Sequence, residues 1–184
     1  MDKERIRAGA DAVLREAGRV FEVPVKVAAI AEMLGFFVGQ AKLTAGTEGI
    51  IAVDRTKKEL LGVGRNMVIV VDRRLDDARK RFIIAHELGH YLLRPDRDGP
   101  VFERSERREI FLHRSAEEED ADYFAACLLM PHNSYSEALR LLGPCDRPTA
   151  NGRYRAAAIL SEQFRVPQLA ALRRIDEVLV NEIS

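Results

Sequence analysis

Apolar residues recur at helical spacing from the start of the chain. Ile6, Ala10, Val13, Leu14 and Ala17 fall on one side of an amphipathic helix over residues 2–20. Pro24 opens a second helix, roughly 25–34, which Gly35 ends. The pattern then changes to short runs of β-branched and aromatic residues. Phe36-Phe37-Val38, Gly49 to Val53 and Met67 to Val71 each read as a strand, and the stretch from Asp54 to Gly64 holds a turn and room for another short strand. A third helix follows. Asp72 or Asp76 can cap it, Asp77 suits its first turn, and it stops near Leu93 because Arg94 precedes Pro95. Pro95 to Arg114 is a long polar loop with one strand-like run, Glu109 to Leu112. Another helix runs from Ser115 to Met130 and is stopped by Pro131; residues 134–183 hold two or three more, with breaks at Gly143-Pro144 and Pro167. The expectation is a mainly helical α+β chain with a small, mostly antiparallel sheet of about three strands.

Composition narrows the picture without choosing a function. At 184 residues and 47% hydrophobic, the chain is expected to form one domain over 1–184, with a core over 1–131 and a helical extension over 132–184 packed on it. The formal net charge is zero, so no global field points to nucleic acid. No apolar run approaches the length of a bilayer span, and no apolar segment follows Met1 to Arg5 as a signal peptide requires. The two cysteines, Cys127 and Cys145, make no disulfide framework. A cytoplasmic location is the expectation.

The chemistry lies in the third helix. His86-Glu87-Leu88-Gly89-His90 is an HExxH sequence inside the apolar frame Phe82 to Ala85 and Tyr91 to Leu93. Two of the chain's 4 histidines stand there, one helical turn apart on one face, so both can hold a single metal ion. Buried imidazoles need partners, and Gly89 in mid-helix marks a close approach by another backbone or a substrate. Glu87 lies beside the histidine face, where it can take the proton of a water held at a zinc ion. The pattern points to peptide-bond hydrolysis.

A catalytic zinc ordinarily has three protein ligands, and HExxH supplies two. The acidic run Glu117-Glu118-Glu119-Asp120 is the nearest source of a third. Glu118 and Asp122 share a helix face, so Glu118 can bind the ion while Asp122 holds the outer nitrogen of His86 or His90. Glu117, Glu119 and His113 are the alternatives. Ser115 with Glu118 also reads as a capping box, in which Glu118 serves only the helix start. Manganese or iron can replace zinc in such a donor set.

Two stretches carry a family resemblance. Arg81 to Leu93 with its HExxH, followed by Glu118-x-x-Ala121-Asp122-x-Phe124-Ala125-Ala126-x-Leu128-Leu129-Met130-Pro131, resembles the ImmA/IrrE metallo-endopeptidases, and Pro24 to Gly35 is similar to the helix that opens their domain. The likeness covers roughly residues 8–131. It implies a zincin-like α+β domain, metal ligands His86, His90 and Glu118, and Glu87 as catalytic base. It also implies a protein substrate, a helix-turn-helix transcriptional repressor whose cleavage relieves repression of stress-response or mobile-element genes. Asp122 stands where Asn is more usual in the family. Some members carry an N-terminal DNA-binding domain, and there is no room for one before Val25, so the repressor is expected to be a separate protein.

Three weaker signals remain. Ala158 to Arg174 has the outline of a helix-turn-helix, though packing on the core is the better expectation and direct DNA binding is not expected. Arg73, Arg74, Arg79, Lys80 and Arg81 read as a solvated helix face, as do Arg104, Arg107 and Arg108 in the long loop. Tyr91, Arg94, His113, Tyr123 and His132 are candidates for contacting substrate or stabilising an oxyanion.

Overall fold

A computed structural model describes residues 1–20, 22–54, 64–94, 101–106, 115–143 and 150–181. Helix α1 (Lys3–Glu16) starts at Asp2, whose carboxylate accepts from the Glu4 amide at 3.2 Å, and it buries Ile6, Ala10, Val13 and Leu14 as the spacing predicts. Helix α2 (Val27–Met33) is shorter than expected at its start, and Gly35, at φ 92°, turns the chain out of it. Strands β1 (Phe37–Ala41), β2 (Thr47–Val53) and β3 (Met67–Asp72) fall at the expected places.

The sheet has four strands in the order β1-β3-β2-β4, with β4 at Val101–Glu106. This strand lies within the segment read as a loop, because β2 needs a partner on its outer side and residues 101–106 provide it in antiparallel register. The strand-like run 109–112 and the segment 55–63 lie outside the described residues. Two of the three pairings are antiparallel, whereas β1 runs parallel to β3, with Phe37 opposite Val68. β2 and β4 shift register between Thr47 and Gly49, so that Glu48 bulges.

Helix α3 (Asp77–Leu92) lies against this sheet. Asp76 caps it, its side chain accepting from the Arg79 amide at 2.7 Å. Asp72 is not a cap. It accepts from the Leu43 and Arg74 amides and from the Arg74 guanidinium, tying the end of β3 to the segment after β1. Residues Phe82 to His90 are buried without a break, since β2 and β3 cover one side of the helix and α4 (Ala116–Leu129) covers another. Gly89 makes the second contact possible. A Cβ there would stand 3.1 Å from the Ala121 Cα and 3.2 Å from its carbonyl oxygen, so the close approach expected of this glycine is to the backbone of α4.

Three helices complete the described chain: α5 (His132–Leu141), α6 (Ala150–Phe164) and α7 (Gln168–Asn181). The turn between the last two is a Schellman motif. Arg165 takes φ 51°, its amide reaches the Glu162 carbonyl, and the Val166 amide reaches the Ser161 carbonyl at 3.0 Å. Leu160, Phe164, Ala171 and Ile175 of the pair join the buried core. Tyr135 donates to the Ala171 carbonyl at 2.7 Å, and Arg174 of α7, 2% exposed, lies beside Cys127 of α4 and pairs with Glu177 at 3.0 Å.

Two of the arginines read as a solvated face, Arg79 and Arg81, are structural instead, while Arg73 is exposed as expected. Arg79 forms an ion pair with Glu48, itself only 5% exposed, because the bulge turns that carboxylate inward and burial demands a partner. Arg81 donates to the Val25 carbonyl at 2.7 Å and to the Arg165 carbonyl at 3.0 Å, joining the entry to α2 and the α6–α7 turn to α3. Arg81→Ala is expected to cost about 1–3 kcal/mol. It would show as a lower urea midpoint at unchanged slope, and an unchanged midpoint would make the two contacts incidental.

Candidate metal centre

Helix periodicity and helix packing together build the site. His86 and His90, one turn apart on α3, face α4; their Nε2 atoms are 2.9 Å apart and their rings meet edge to face. Glu118, in the first turn of α4, places one carboxylate oxygen 3.5 Å from His86 Nε2 and the other 3.4 Å from His90 Nε2. One turn further along α4, Asp122 Oδ1 lies 2.9 Å from His86 Nδ1. The Glu118 amide donates to the Ser115 hydroxyl at 3.3 Å, as in a helix cap, while its side chain reaches the histidines instead of turning back to the helix start. Ligand atoms of His86, His90 and Glu118 all lie within 4.8 Å of one another.

The electrostatics follow from burial beside carboxylates. The His86 imidazole is 4% exposed, and burial alone would lower its pKa; hydrogen bonds to Asp122 and Glu118 overcome that and raise it to about 9. Hydrogen bonds from His86 and His90 hold the Glu118 carboxyl well below the usual carboxylate range. Two imidazole nitrogens facing each other at hydrogen-bond distance have room for one proton between them, and both also face a carboxylate. A divalent cation among these atoms would accept lone pairs from both imidazoles and balance the carboxylate charge. The donor set therefore fits such an ion.

Glu87 is fully buried on the neighbouring face of α3, toward β2, where Gly49 lies under its carboxylate. The other acids of the run have different partners. Glu117 forms an ion pair with Arg94 at 2.5 Å, and Asp120 meets the N-terminal ammonium at 2.8 Å. Arg94 thus links the end of α3 to the start of α4. Tyr91 packs edge-on against Phe36, with ring centroids 5.0 Å apart. Burial raises the Tyr123 phenol to about 12, and its ring carries the Lys3 ammonium at 5.0 Å. His113 lies outside the described residues. Arg173 Nη1 approaches the second oxygen of Asp122 at 4.0 Å, which extends the line of contacts from His86 through Asp122 to α7. Sequence reasoning did not find Glu48 or Gly49. The available signal was a glycine inside an apolar strand, which marks close approach of another group.

A helix carrying HExxH on a small mixed sheet, with a second helix delivering a carboxylate to both histidines, makes this an α+β domain of the zincin-like kind. Residues 36–176 match the family described as Peptidase_M78, IrrE N-terminal-like domain, and the chain belongs to that family. The match begins later than the resemblance seen in the sequence and runs past Pro131 into α7. The family is one of metallopeptidases and implies a divalent metal. A search of curated proteins finds no match. Among solved structures the chain is similar to a Mycobacterium tuberculosis transcriptional regulator, with 16% identity and a TM-score of 0.48, over 93% of this chain and 51% of that one. The chain thus spans about half the length of that regulator.

Proposed function

We propose that the protein is a zinc-dependent endopeptidase that cleaves a helix-turn-helix transcriptional repressor and so relieves repression of stress-response or mobile-element genes. The observation that carries the catalytic half is the meeting of His86 Nε2, His90 Nε2 and the Glu118 carboxylate beside the buried carboxylate of Glu87. The substrate half rests on the family, whose members are expected to act on such repressors.

In this reading His86, His90 and Glu118 hold the ion. A bound zinc ion supplies Lewis acidity to the scissile carbonyl and to the attacking water. Asp122 accepts the Nδ1 proton of His86, which leaves the Nε2 lone pair directed at the donor cluster. Glu87 takes the proton of the attacking water and passes it to the leaving amine. Manganese or iron suits the same two imidazoles and carboxylate. Residues 1–184 act as one unit in this reading, with Arg174 of α7 buried beside Cys127 of α4 and Arg173 4.0 Å from Asp122. Arg174 is buried and paired, which leaves α7 fewer cations for phosphates than the sequence suggested. Among the described residues no helix is long and apolar enough to cross a membrane, and the proposed place of action is the cytoplasm, with the repressor.

The test is the metal content of the purified chain beside His90→Ala and Glu118→Ala. About one zinc per chain, lost from both variants, is the expected result. Loss from His90→Ala alone would move the third ligand to another acid or to His113. No metal in any sample after zinc is added back would overturn the reading and leave a protein that binds its partner without cutting it.

A further inference from the structure

We propose that Gly49 is a positioning residue for Glu87: the β2 backbone at this glycine is the floor on which the Glu87 carboxylate rests, and it sets where that carboxylate points. This rests on Glu87 being the general base. Gly49 is not there for an unusual turn, because it is an ordinary strand residue, opposite Val71 on one side and Ser105 on the other. What it provides is space. A Cβ at position 49 would stand 2.7 Å from Glu87 Oε1 and 3.6 Å from its Cδ, and would overlap the Ile83 Cγ2 methyl. Ile83 and Glu87 are one turn apart on α3, so the same strand atom meets both.

The strand has little freedom to retreat. Ladder pairing holds it on both sides. The preceding residue is the bulged Glu48, whose buried carboxylate is held by Arg79 of the same helix α3. That ion pair locks β2 and α3 in the register that puts Gly49 under Glu87. A side chain at 49 therefore displaces two groups: the Ile83 methyl, which gives way only if the helix lifts off the strand, and the Glu87 carboxylate, which swings away. The Ile83 methyl sits on a stiff, β-branched Cβ, so its overlap acts on packing, whereas the carboxylate ends a flexible side chain and answers by changing direction.

Removing the Ile83 methyl separates packing from positioning. Wild type, Gly49→Ala, Ile83→Ala, the Gly49→Ala/Ile83→Ala double variant and Glu87→Gln would be loaded with cobalt(II). Metal content, thermal midpoint and acetohydroxamate binding, followed by the cobalt visible spectrum, would be measured on each. A hydroxamic acid reports on Glu87 because it sheds a proton to, and then hydrogen-bonds with, the carboxylate beside the ion. The expected result is full cobalt content in all five. Gly49→Ala binds acetohydroxamate at least about tenfold more weakly, a loss of the size one misplaced hydrogen-bonding group produces. The double variant recovers the thermal midpoint of Ile83→Ala and keeps the weak binding. If the double variant instead binds like Ile83→Ala, or Gly49→Ala loses its cobalt, Gly49 serves packing and the proposal falls. If Glu87→Gln binds acetohydroxamate as tightly as wild type, it is the base reading that fails.

Discussion

Glu87→Gln is expected to lower peptide cleavage by roughly 10²–10⁴-fold while the chain keeps its metal. The amide matches the carboxylate in shape but cannot take a proton from water. Shape matters here, because the side chain is fully buried with Gly49 under its carboxylate, so Ala would open a void beside the site as well as remove the proposed base. Metal retention follows from geometry, since the three converging donors are those of His86, His90 and Glu118. The measurement is profiling of new protein N-termini in a lysate of the native host, treated with zinc-loaded wild type or variant, with elemental analysis of both. A new terminus within a helix-turn-helix repressor, present with wild type and missing with the variant, is the expected outcome. Equal cleavage by both would remove Glu87 from the mechanism. No cleavage by either, with zinc fully bound, would favour a regulator that holds its partner intact.

The second large effect is an opposite response to pH with and without metal. His86 in the folded metal-free chain has its pKa raised to about 9 from an ordinary 6.5. A raised folded value stabilises the protein fully below the unfolded pKa, and the contribution is lost as pH climbs through the folded one. Chelated protein should therefore lose stability between about pH 6.5 and pH 9, by on the order of 3 kcal/mol for a shift of this size. Glu118 acts at the other end: its lowered pKa stabilises the fold above the usual carboxylate range and is lost as pH falls. Metal reverses the alkaline trend, since the ion must displace the His86 proton and binds more tightly as that proton leaves. Thermal midpoints at pH 6, 7.5 and 9, with chelator and with zinc, would show a falling metal-free series and a widening gain from zinc. A flat metal-free series would mean that Asp122 and Glu118 do not hold His86 as a cation.

The proposed site was legible in the sequence wherever one helix carries its own logic. His86 and His90 share a face because residues four apart always do, and Glu118 and Asp122 repeat that spacing on the next helix. The arginine run misled for a related reason. Periodicity places Arg79 and Arg81 on different faces of α3 but does not reveal that β2 bulges at Glu48 or that the Arg165 carbonyl turns toward α3. Strand pairing was harder still. β4 lies in a polar stretch with little period-two signal, and the parallel alignment of β1 on β3 depends on how the chain returns.

The sequence alone determined the helices, the two-histidine motif, the acids able to complete it and the resemblance to a metallopeptidase family, because each depends on residue type and short-range spacing. Tertiary structure decided which acid meets both imidazoles, that Asp122 takes His86, and that Arg173 of α7 comes to 4.0 Å from Asp122. It also decided that Gly49 lies under the Glu87 carboxylate, where a Cβ would stand 2.7 Å from Oε1. Those are contacts between elements far apart in the chain. They depend on how closely α4 and β2 approach α3, and two glycines, Gly89 of α3 facing α4 and Gly49 of β2 facing α3, set the approach by having no side chain.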